Sequence, residues 1–201
     1  MIYPIPPRNT FGTDNCAYWE GFLSEDELNY LTNITNWSNL SPAYIGGANS
    51  DEQIHDNNIR STQISWLSVN EENKHIWDKI ARAISEVNSR VFHYDLTGCY
   101  EPMQLGVYTA DKKGHYNWHI DASVKDRTPP RKLSMVLMLS DPSEYEGGQL
   151  QIKLVSDEVI TLDQVKGRAW FFPSYMLHKV TPVTRGTRKT IVLWVGGPPF
   201  K

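Results

Sequence analysis

Residues 104–121, with the sequence QLGVYTADKKGHYNWHID, give the clearest indication of the fold. Two runs rich in β-branched and aromatic residues, 104–109 and 115–121, flank a polar segment, a pattern typical of two strands joined by a turn. The second run contains His119 and Asp121. Because alternate side chains of a strand point to the same face, we expect these two groups on one face, about 7 Å apart along the chain.

Six more runs of this kind follow, with turn residues between them and no helical periodicity. They cover residues 132–139, 148–154, 159–162, 168–172, 177–180 and 188–195. About eight strands in about 92 residues must close or double over to bury their apolar faces. A jelly roll or small barrel is therefore favoured over a parallel sheet, and the fold is predicted to be mainly β with N-terminal helices.

Two helices are predicted before this β-rich region. Ser24 and Glu27 match a capping box at the start of the first helix, which we expect to end near Asn36. The second helix is predicted to begin at Asn70 and to carry apolar residues on one face. These helices would pack against the strands that follow.

The remaining segments of the first half are predicted to be a loop and a strand. Residues 41–58 are rich in Gly, Asn and Asp and lack periodicity, which indicates a long exposed loop, while residues 59–69 alternate weakly as a strand does. The chain, 1–201, is predicted to be one domain, with helical support and loop over 1–96 and the β core over 97–201.

The composition is that of an ordinary globular protein, with 40% hydrophobic and 21% charged residues. Lys and Arg number 20 against 23 Asp and Glu, a formal charge of −3, which disfavours binding to the phosphate backbone of nucleic acids. Cys16 and Cys99 are too few for a disulfide framework or a four-thiolate zinc site. No secretory leader or long apolar run is present, so we expect no membrane association and a cytoplasmic location.

Histidine and carboxylate residues are the strongest candidates for chemistry. The chain contains two His-x-Asp pairs, His93/Asp95 and His119/Asp121. The first follows the end of a predicted helix, where histidine often interacts with terminal carbonyls, so a structural role is expected. The second lies in a strand, and His178 is the only histidine after it. Two imidazoles and one carboxylate leave coordination positions open, as in non-haem Fe(II) oxygenases. A core histidine bonded to a backbone carbonyl remains the alternative for His178.

A possible carboxylate-binding pair follows His178 along the chain. Arg188 stands ten residues later, and Thr190 shares its face of the predicted strand. A guanidinium with a neighbouring hydroxyl is well shaped to hold a carboxylate through charge-assisted hydrogen bonds. A surface ion pair is the alternative for Arg188.

These residues, with the segments around them, resemble a known family. His119-x-Asp121, His178 and Arg188-x-Thr190, together with DPSEYEGGQLQI and PSYMLHKVTPVTRGTRKTIVLW, resemble the 2-oxoglutarate and Fe(II)-dependent dioxygenases, in particular their prolyl 4-hydroxylase branch. The resemblance implies a double-stranded β-helix core in which the two histidines and the aspartate bind Fe(II). It also implies that Arg188 and Thr190 hold the distal carboxylate of 2-oxoglutarate.

Further expectations follow from the resemblance. Tyr108 matches a tyrosine that hydrogen-bonds the cosubstrate, and Met138 lies where some members place a second such tyrosine. The reaction would hydroxylate a C–H bond with O2 while 2-oxoglutarate is decarboxylated to succinate and CO2, with ascorbate as a reductant. The substrate would be a prolyl residue in a protein or peptide.

Substrate contacts are expected from Trp194, Arg131 and Tyr116. Arg131 stands where prolyl hydroxylases carry a substrate-contacting arginine, and Trp194 shares the strand face of Arg188, although a core tryptophan is an equal alternative. Strict alternation points Tyr116 away from the metal unless the strand bulges. The loops 41–58 and 122–131 are candidates for closing over a substrate.

Two other functions remain open from the sequence. One is hydroxylation of a free amino acid or another small metabolite, which differs in the shape of the pocket. The other is a non-catalytic β-barrel that senses 2-oxoglutarate or iron.

Overall fold

The structure is a computed structural model that describes residues 15–43, 56–122 and 129–199. Within these ranges the chain forms thirteen strands and two α-helices, and all strand pairs are antiparallel. The prediction of a mainly β protein with antiparallel sheets is therefore confirmed. No helix in these ranges is long and apolar enough to cross a bilayer.

The larger sheet has eight strands. In spatial order they are β1 (Ala17–Trp19), β11 (Ala169–Pro173), β7 (Arg131–Met138), β13 (Val183–Gly196), β5 (Met103–Thr109), β4 (Gln63–Leu67) and β2 (Ser41–Pro42), with β8 (Tyr145–Gly147) paired to the start of β13.

The smaller sheet has five strands. Their order is β10 (Val159–Thr161), β9 (Leu150–Lys153), β12 (His178–Val180), β6 (His115–His119) and β3 (Arg60–Ser61). From β5 onward the chain passes repeatedly between the two sheets, so β6 and β12 of the smaller sheet lie between sequence neighbours that belong to the larger one. This alternation brings His119 and His178 onto adjacent strands.

The predicted strands are found with several corrections. The strand predicted over 115–121 ends at His119, so Asp121 lies just beyond it, and Ser41–Pro42, at the start of the predicted loop, forms a short strand. The segment 59–69 is not one strand, because Arg60–Ser61 joins the smaller sheet and Gln63–Leu67 the larger. The last strand starts at Val183 instead of 188, since its first residues pair with the unpredicted β8. Gly186 permits this pairing: its φ is 70°, and a Cβ there would lie 2.0 Å from the carbonyl oxygen of Glu144.

Helix α1 (Glu25–Asn33) begins at the predicted capping box. The Glu27 N–H donates to Ser24 Oγ (3.3 Å), and the Ser24 N–H donates to a Glu27 carboxylate oxygen (2.8 Å). The helix ends three residues before the predicted Asn36, where a short 3₁₀ helix, Thr35–Ser38, follows.

Helix α2 (Lys74–Val87) begins four residues later than predicted. Asn70 and Asn73 each accept a hydrogen bond from the backbone N–H of the other (2.9 Å in both cases), which holds a turn before the helix. A π-helical turn, Asn88–Phe92, ends it, and His93 then adopts φ 53° and donates its N–H to the Asn88 carbonyl. His93 therefore closes a helix, as expected from the sequence.

The apolar residues form two clusters. One lies between the helices and the larger sheet and includes Leu31, Ile80, Leu105 and Leu193, each fully buried. The other includes Leu150, Ile152 and Phe172 and packs between the two sheets. The candidate metal ligands stand beside this second cluster, because the Phe172 ring lies 4.8 Å from the ring of His178.

Candidate active site

Three predicted metal ligands meet at the adjacent ends of two strands. His119 is the last residue of β6 and lies directly opposite His178, the first residue of β12. Asp121 follows β6, and its carboxylate oxygens lie 3.9 Å from His119 Nε2 and 3.5 Å from His178 Nε2. One ligand atom from each residue lies within 4.8 Å of the other two. The structure thus brings His178 to a pair of residues that lie 57 and 59 positions earlier in the sequence.

Both imidazoles are held with one nitrogen facing this point. The Nδ1–H of His119 donates to the Asn117 carbonyl (2.7 Å), and the Nδ1–H of His178 donates to the Met176 carbonyl (2.9 Å). Since a carbonyl can only accept, the proton of each ring is on Nδ1 and the Nε2 lone pair is free. Burial, and then the neighbouring His178, lower the pKa of His119, so its ring is neutral near pH 7. The alternative considered for His178 from the sequence was a core histidine bonded to a backbone carbonyl. That bond is present at Nδ1, but the Nε2 atom of the same ring faces Asp121.

A pair of buried serines orients the aspartate. Ser134 Oγ donates to an Asp121 carboxylate oxygen (2.8 Å) and lies 2.9 Å from Ser174 Oγ, while the Asp121 N–H donates to the Ser174 carbonyl (2.8 Å). Burial raises the pKa of Asp121, but the two histidines, the Trp194 indole N–H and Ser134 outweigh it, so the carboxylate is ionised. The indole N–H favours this charge by proximity and makes no hydrogen bond with a described residue. Neither serine was predicted from the sequence, because each contacts Asp121 from a segment that is distant along the chain.

This donor set fits a divalent iron ion. Two neutral imidazole nitrogens and one carboxylate on one side of a point, with backbone-fixed rings, suit a non-haem Fe(II) site with open positions. The set holds too few protein ligands for a closed structural zinc site.

Arg188 is buried, and its partners among the described residues are neutral. Its side chain is 1% exposed, its Nε–H donates to Gln164 Oε1 (3.2 Å), and Nη2 lies 3.5 Å from the sulfur of Met138. Tyr108 is its register partner on β5, with the guanidinium 5.2 Å from the ring centre. In the described part of the chain no carboxylate pairs with Arg188. The surface ion pair considered from the sequence is therefore not observed there.

Other buried or partly buried polar residues surround Arg188. Thr190 is 1% exposed and faces Gly106, where a Cβ would lie 3.3 Å from Thr190 Oγ1. Tyr145 donates its hydroxyl to Gln164 Oε1 (2.7 Å), the oxygen that also accepts from Arg188. Burial raises the pKa of Tyr145, and the Arg188 charge opposes this. Neither Tyr145 nor Gln164 was predicted from the sequence. Tyr145 could have been considered, because it lies within the segment DPSEYEGGQLQI that carries the family resemblance.

Trp194 and Arg131 form one stacked unit. The Arg131 guanidinium lies 3.7 Å from the Trp194 ring centre and donates two hydrogen bonds to the Glu101 carboxylate (2.6 and 2.7 Å). Trp194 is 6% exposed, and the ring of Trp66 lies 6.4 Å from it. The charge of Arg131 is thus already neutralised within the protein, which the sequence did not predict.

Tyr116 reaches the metal-ligand side because β6 bulges. His119 pairs with His178 and Tyr116 with Val180, so a step of three residues on β6 faces a step of two on β12. The bulge stacks the Tyr116 ring on the His119 ring, with centres 3.4 Å apart and an interplanar angle of 15°. Burial raises the pKa of Tyr116, opposed by the charge of Arg60. The two candidate substrate loops lie partly outside the described residues, at 44–55 and 123–128.

Residues 103–196 match the family model described as the 2OG-Fe(II) oxygenase superfamily. A PKHD-type hydroxylase of Pseudomonas fluorescens is 39% identical over 101 residues. That match covers 46% of this chain and 42% of the relative, so the chain corresponds to less than half of the relative's length.

Two solved structures share the fold at low sequence identity. A prolyl hydroxylase from Trichoplax adhaerens, in complex with a hypoxia inducible factor oxygen degradation domain peptide fragment, has a TM-score of 0.73 and 22% identity over 94% of this chain and 86% of its own. A prolyl-4-hydroxylase from Pseudomonas putida has a TM-score of 0.68 and 21% identity over 92% of this chain and 94% of its own. Residues 103–196 are therefore similar to the 2OG-Fe(II) oxygenase superfamily, and the chain shares its fold with these two prolyl hydroxylases.

Proposed function

We propose that this protein is an Fe(II)- and 2-oxoglutarate-dependent dioxygenase that hydroxylates prolyl residues in a protein or peptide and converts 2-oxoglutarate to succinate and CO2. The observation that carries the proposal is the buried guanidinium of Arg188, which has no carboxylate partner in the described residues. Arg188 lies on β13 of the larger sheet, the strand that also carries Trp194 beside Asp121. A buried cation of this kind is costly unless a ligand supplies the opposite charge.

His119, Asp121 and His178 would hold Fe(II). The ion, when bound, supplies the activation of O2 that oxidises the substrate C–H bond and the keto acid. The chain's own contribution at this point is orientation: carbonyl acceptors fix both rings, and Ser134 fixes the carboxylate.

Arg188 would bind the distal carboxylate of 2-oxoglutarate, with Thr190 and Tyr108 beside it. The guanidinium fork supplies two parallel donors, and the hydroxyls supply additional ones. Tyr145 and Gln164 hold the arginine side chain from the other side. A five-carbon diacid has one carboxylate for this arginine and a keto acid end for the metal group.

Trp194 and Tyr116 would border the substrate. Both rings lie beside metal ligands, Tyr116 against His119 and Trp194 against Asp121. Aromatic walls suit the rigid ring of proline, which lacks an N–H. Arg131, stacked on Trp194, would contact the substrate with whatever donors its pair with Glu101 leaves free. The Trichoplax neighbour was solved with a peptide, which supports a peptide substrate here.

We also propose the finer features of the fold and setting expected from the sequence. Repeated passage of strands 103–196 between two antiparallel sheets supports a double-stranded β-helix, or jelly roll. The helices pack on the larger sheet, which supports a single domain over 1–201 with 1–96 as its support. Ascorbate as reductant and a cytoplasmic location stay predictions.

The test measures succinate formed from 2-oxoglutarate with Fe(II) and O2, together with mass spectrometry of proline-containing peptides for a gain of one oxygen atom. Wild type is expected to form succinate, and His178→Ala is expected to form none. Succinate without oxidation of any peptide, but with oxidation of free amino acids, would favour the small-metabolite alternative. Tight binding of 2-oxoglutarate without any succinate would favour the sensor.

A further inference from the structure

We propose that Arg60 is an anion-binding subsite of this active site and that the substrate presents a carboxylate to it. The carboxylate belongs to an acidic side chain flanking the target residue or to a free chain end beside it. This inference rests on the proposed function, since it specifies the substrate of the same site.

Arg60 is a buried cation with too few partners. Its side chain is 9% exposed, and one guanidinium N–H, on Nη2, donates to Gln104 Oε1 (3.0 Å). The Nε–H is buried and has no hydrogen-bond partner among the residues that the structure describes. No carboxylate in the described parts of the chain pairs with it. Such a group is strongly unfavourable unless something neutralises it.

Several other arginines of this chain pair their guanidinium charge with a carboxylate. Arg131 makes two hydrogen bonds to Glu101, and Arg168 and Arg185 each pair with a glutamate. Arg60 and Arg188 are the two buried arginines among the described residues, and neither has an ion pair with a described carboxylate. The reasoning that assigns Arg188 a cosubstrate carboxylate therefore applies equally to Arg60.

The position of Arg60 places the second anion close to the reacting centre. Arg60 pairs with Tyr116 across β3 and β6, and its guanidinium lies 4.4 Å from the Tyr116 ring centre. Tyr116 in turn stacks on His119. One aromatic ring therefore separates Arg60 from a metal ligand, a span that a peptide covers within one or two residues.

A carboxylate fits this position better than a neutral acceptor. Gln104 already provides a neutral oxygen, and the guanidinium charge is still uncompensated. A carboxylate can satisfy a further N–H and cancel the charge together, whereas a peptide carbonyl can do only the first. A lysine at the same place in a substrate would be repelled.

The test uses the iron- and 2-oxoglutarate-loaded protein and pools of amidated pentapeptides with proline in the centre. One flanking position is fixed as Asp, Asn or Lys, and a parallel set ends in a free carboxyl directly after the proline or one residue later. Oxidation is read by mass spectrometry, and binding of fluorescent versions by anisotropy without O2. We expect an Asp or a free-carboxyl pool to exceed its amide counterpart roughly thirtyfold or more in kcat/KM and in affinity.

Variants then assign the preference to this side chain. Arg60→Gln should abolish the preference, and Arg60→Glu should shift it toward the Lys pool. Arg82→Gln, on the exposed face of α2, is the matched control and should behave as wild type. Preference for Asp only, or for the free carboxyl only, identifies the source of the carboxylate.

Each outcome decides the proposal. Equal turnover and equal binding of Asp, Asn and free-carboxyl pools by wild type would overturn it even if a variant failed to fold, and so would a preference that survives Arg60→Gln. Failure of the proposed function is seen separately, as absence of succinate formation by wild type under the same conditions.

Discussion

Replacing Arg188 with methionine should make the ligand-free protein more stable and the 2-oxoglutarate complex much weaker. Arg188 is 1% exposed, and its guanidinium contacts the neutral acceptors Gln164 Oε1 and the Met138 sulfur. Methionine fills a similar volume without burying a charge. Replacing buried ionic groups by apolar ones of similar size stabilises proteins by about 1–4 kcal/mol in favourable cases. For a chain of this size, about 1 kcal/mol raises the unfolding temperature by roughly 2–4 °C.

The same substitution removes the proposed partner of a ligand carboxylate. Loss of one member of a buried ion pair costs about 3–5 kcal/mol, or roughly two to three orders of magnitude in the dissociation constant of 2-oxoglutarate. Wild type should gain about 2.7 kcal/mol of stability at a ligand concentration one hundred times that constant, and the variant should gain almost none at this concentration.

The assay is thermal unfolding of both proteins with Fe(II) under nitrogen, with and without 2-oxoglutarate. Arg185→Met is the matched control, because Arg185 is exposed on the same strand and pairs with Glu146. Its unfolding temperature and its response to 2-oxoglutarate should stay near the wild-type values. The reasoning is refuted if Arg188→Met unfolds at a lower temperature than wild type without ligand, or if 2-oxoglutarate stabilises both proteins equally.

Four further predictions test the supporting features. Ser134→Ala should weaken metal binding about 10–100-fold in a Co(II) absorption titration, because Asp121 loses its hydroxyl donor; unchanged affinity would show that the serine is dispensable. Trp194→Ala should reduce peptide hydroxylation more than succinate formation without substrate, whereas equal losses would place the ring in the structural core. Gly186→Ala should lower the free energy of unfolding by about 2 kcal/mol or more in urea titrations, because the residue has φ 70°; a neutral effect would exclude strain there. Burial raises the pKa of Glu27, but hydrogen bonds from a lysine and the helix cap outweigh this and keep it below its usual value, so the stability that Glu27 adds over Glu27→Gln should be fully present above the ordinary glutamate pKa of about 4.3 and be lost as the pH falls below it; a difference that grows on acidification would reverse the sign.

Local patterns in the sequence were sufficient for the features that depend on nearest neighbours. The capping box at Ser24 formed because its two hydrogen bonds lie within one helical turn. His119 and Asp121 could be placed together from the two-residue period of a strand. The pairing of His178 with them followed from the scarcity of histidine after residue 121.

Features that depend on pairing between distant segments could not be predicted in this way. Strand β8 forms because residues 145–147 pair with the start of β13, and no local sequence pattern indicates this pairing. The neutralisation of Arg131 by Glu101 depends on two segments that meet only in the folded chain. The burial of Arg60 likewise results from its place beneath Tyr116, since a lone arginine in sequence gives no sign of exposure or pairing.

The bulge in β6 allows two rings that are three residues apart to share one side of the strand. Three residues from Tyr116 to His119 face two on the neighbouring strand, so both rings occupy the same side. If the segment 116–119 kept its three steps but paired regularly, alternation would turn the aromatic ring and the imidazole to opposite surfaces. A substitution that removes the bulge is therefore expected to separate the two rings, even where the residue it replaces contacts neither of them.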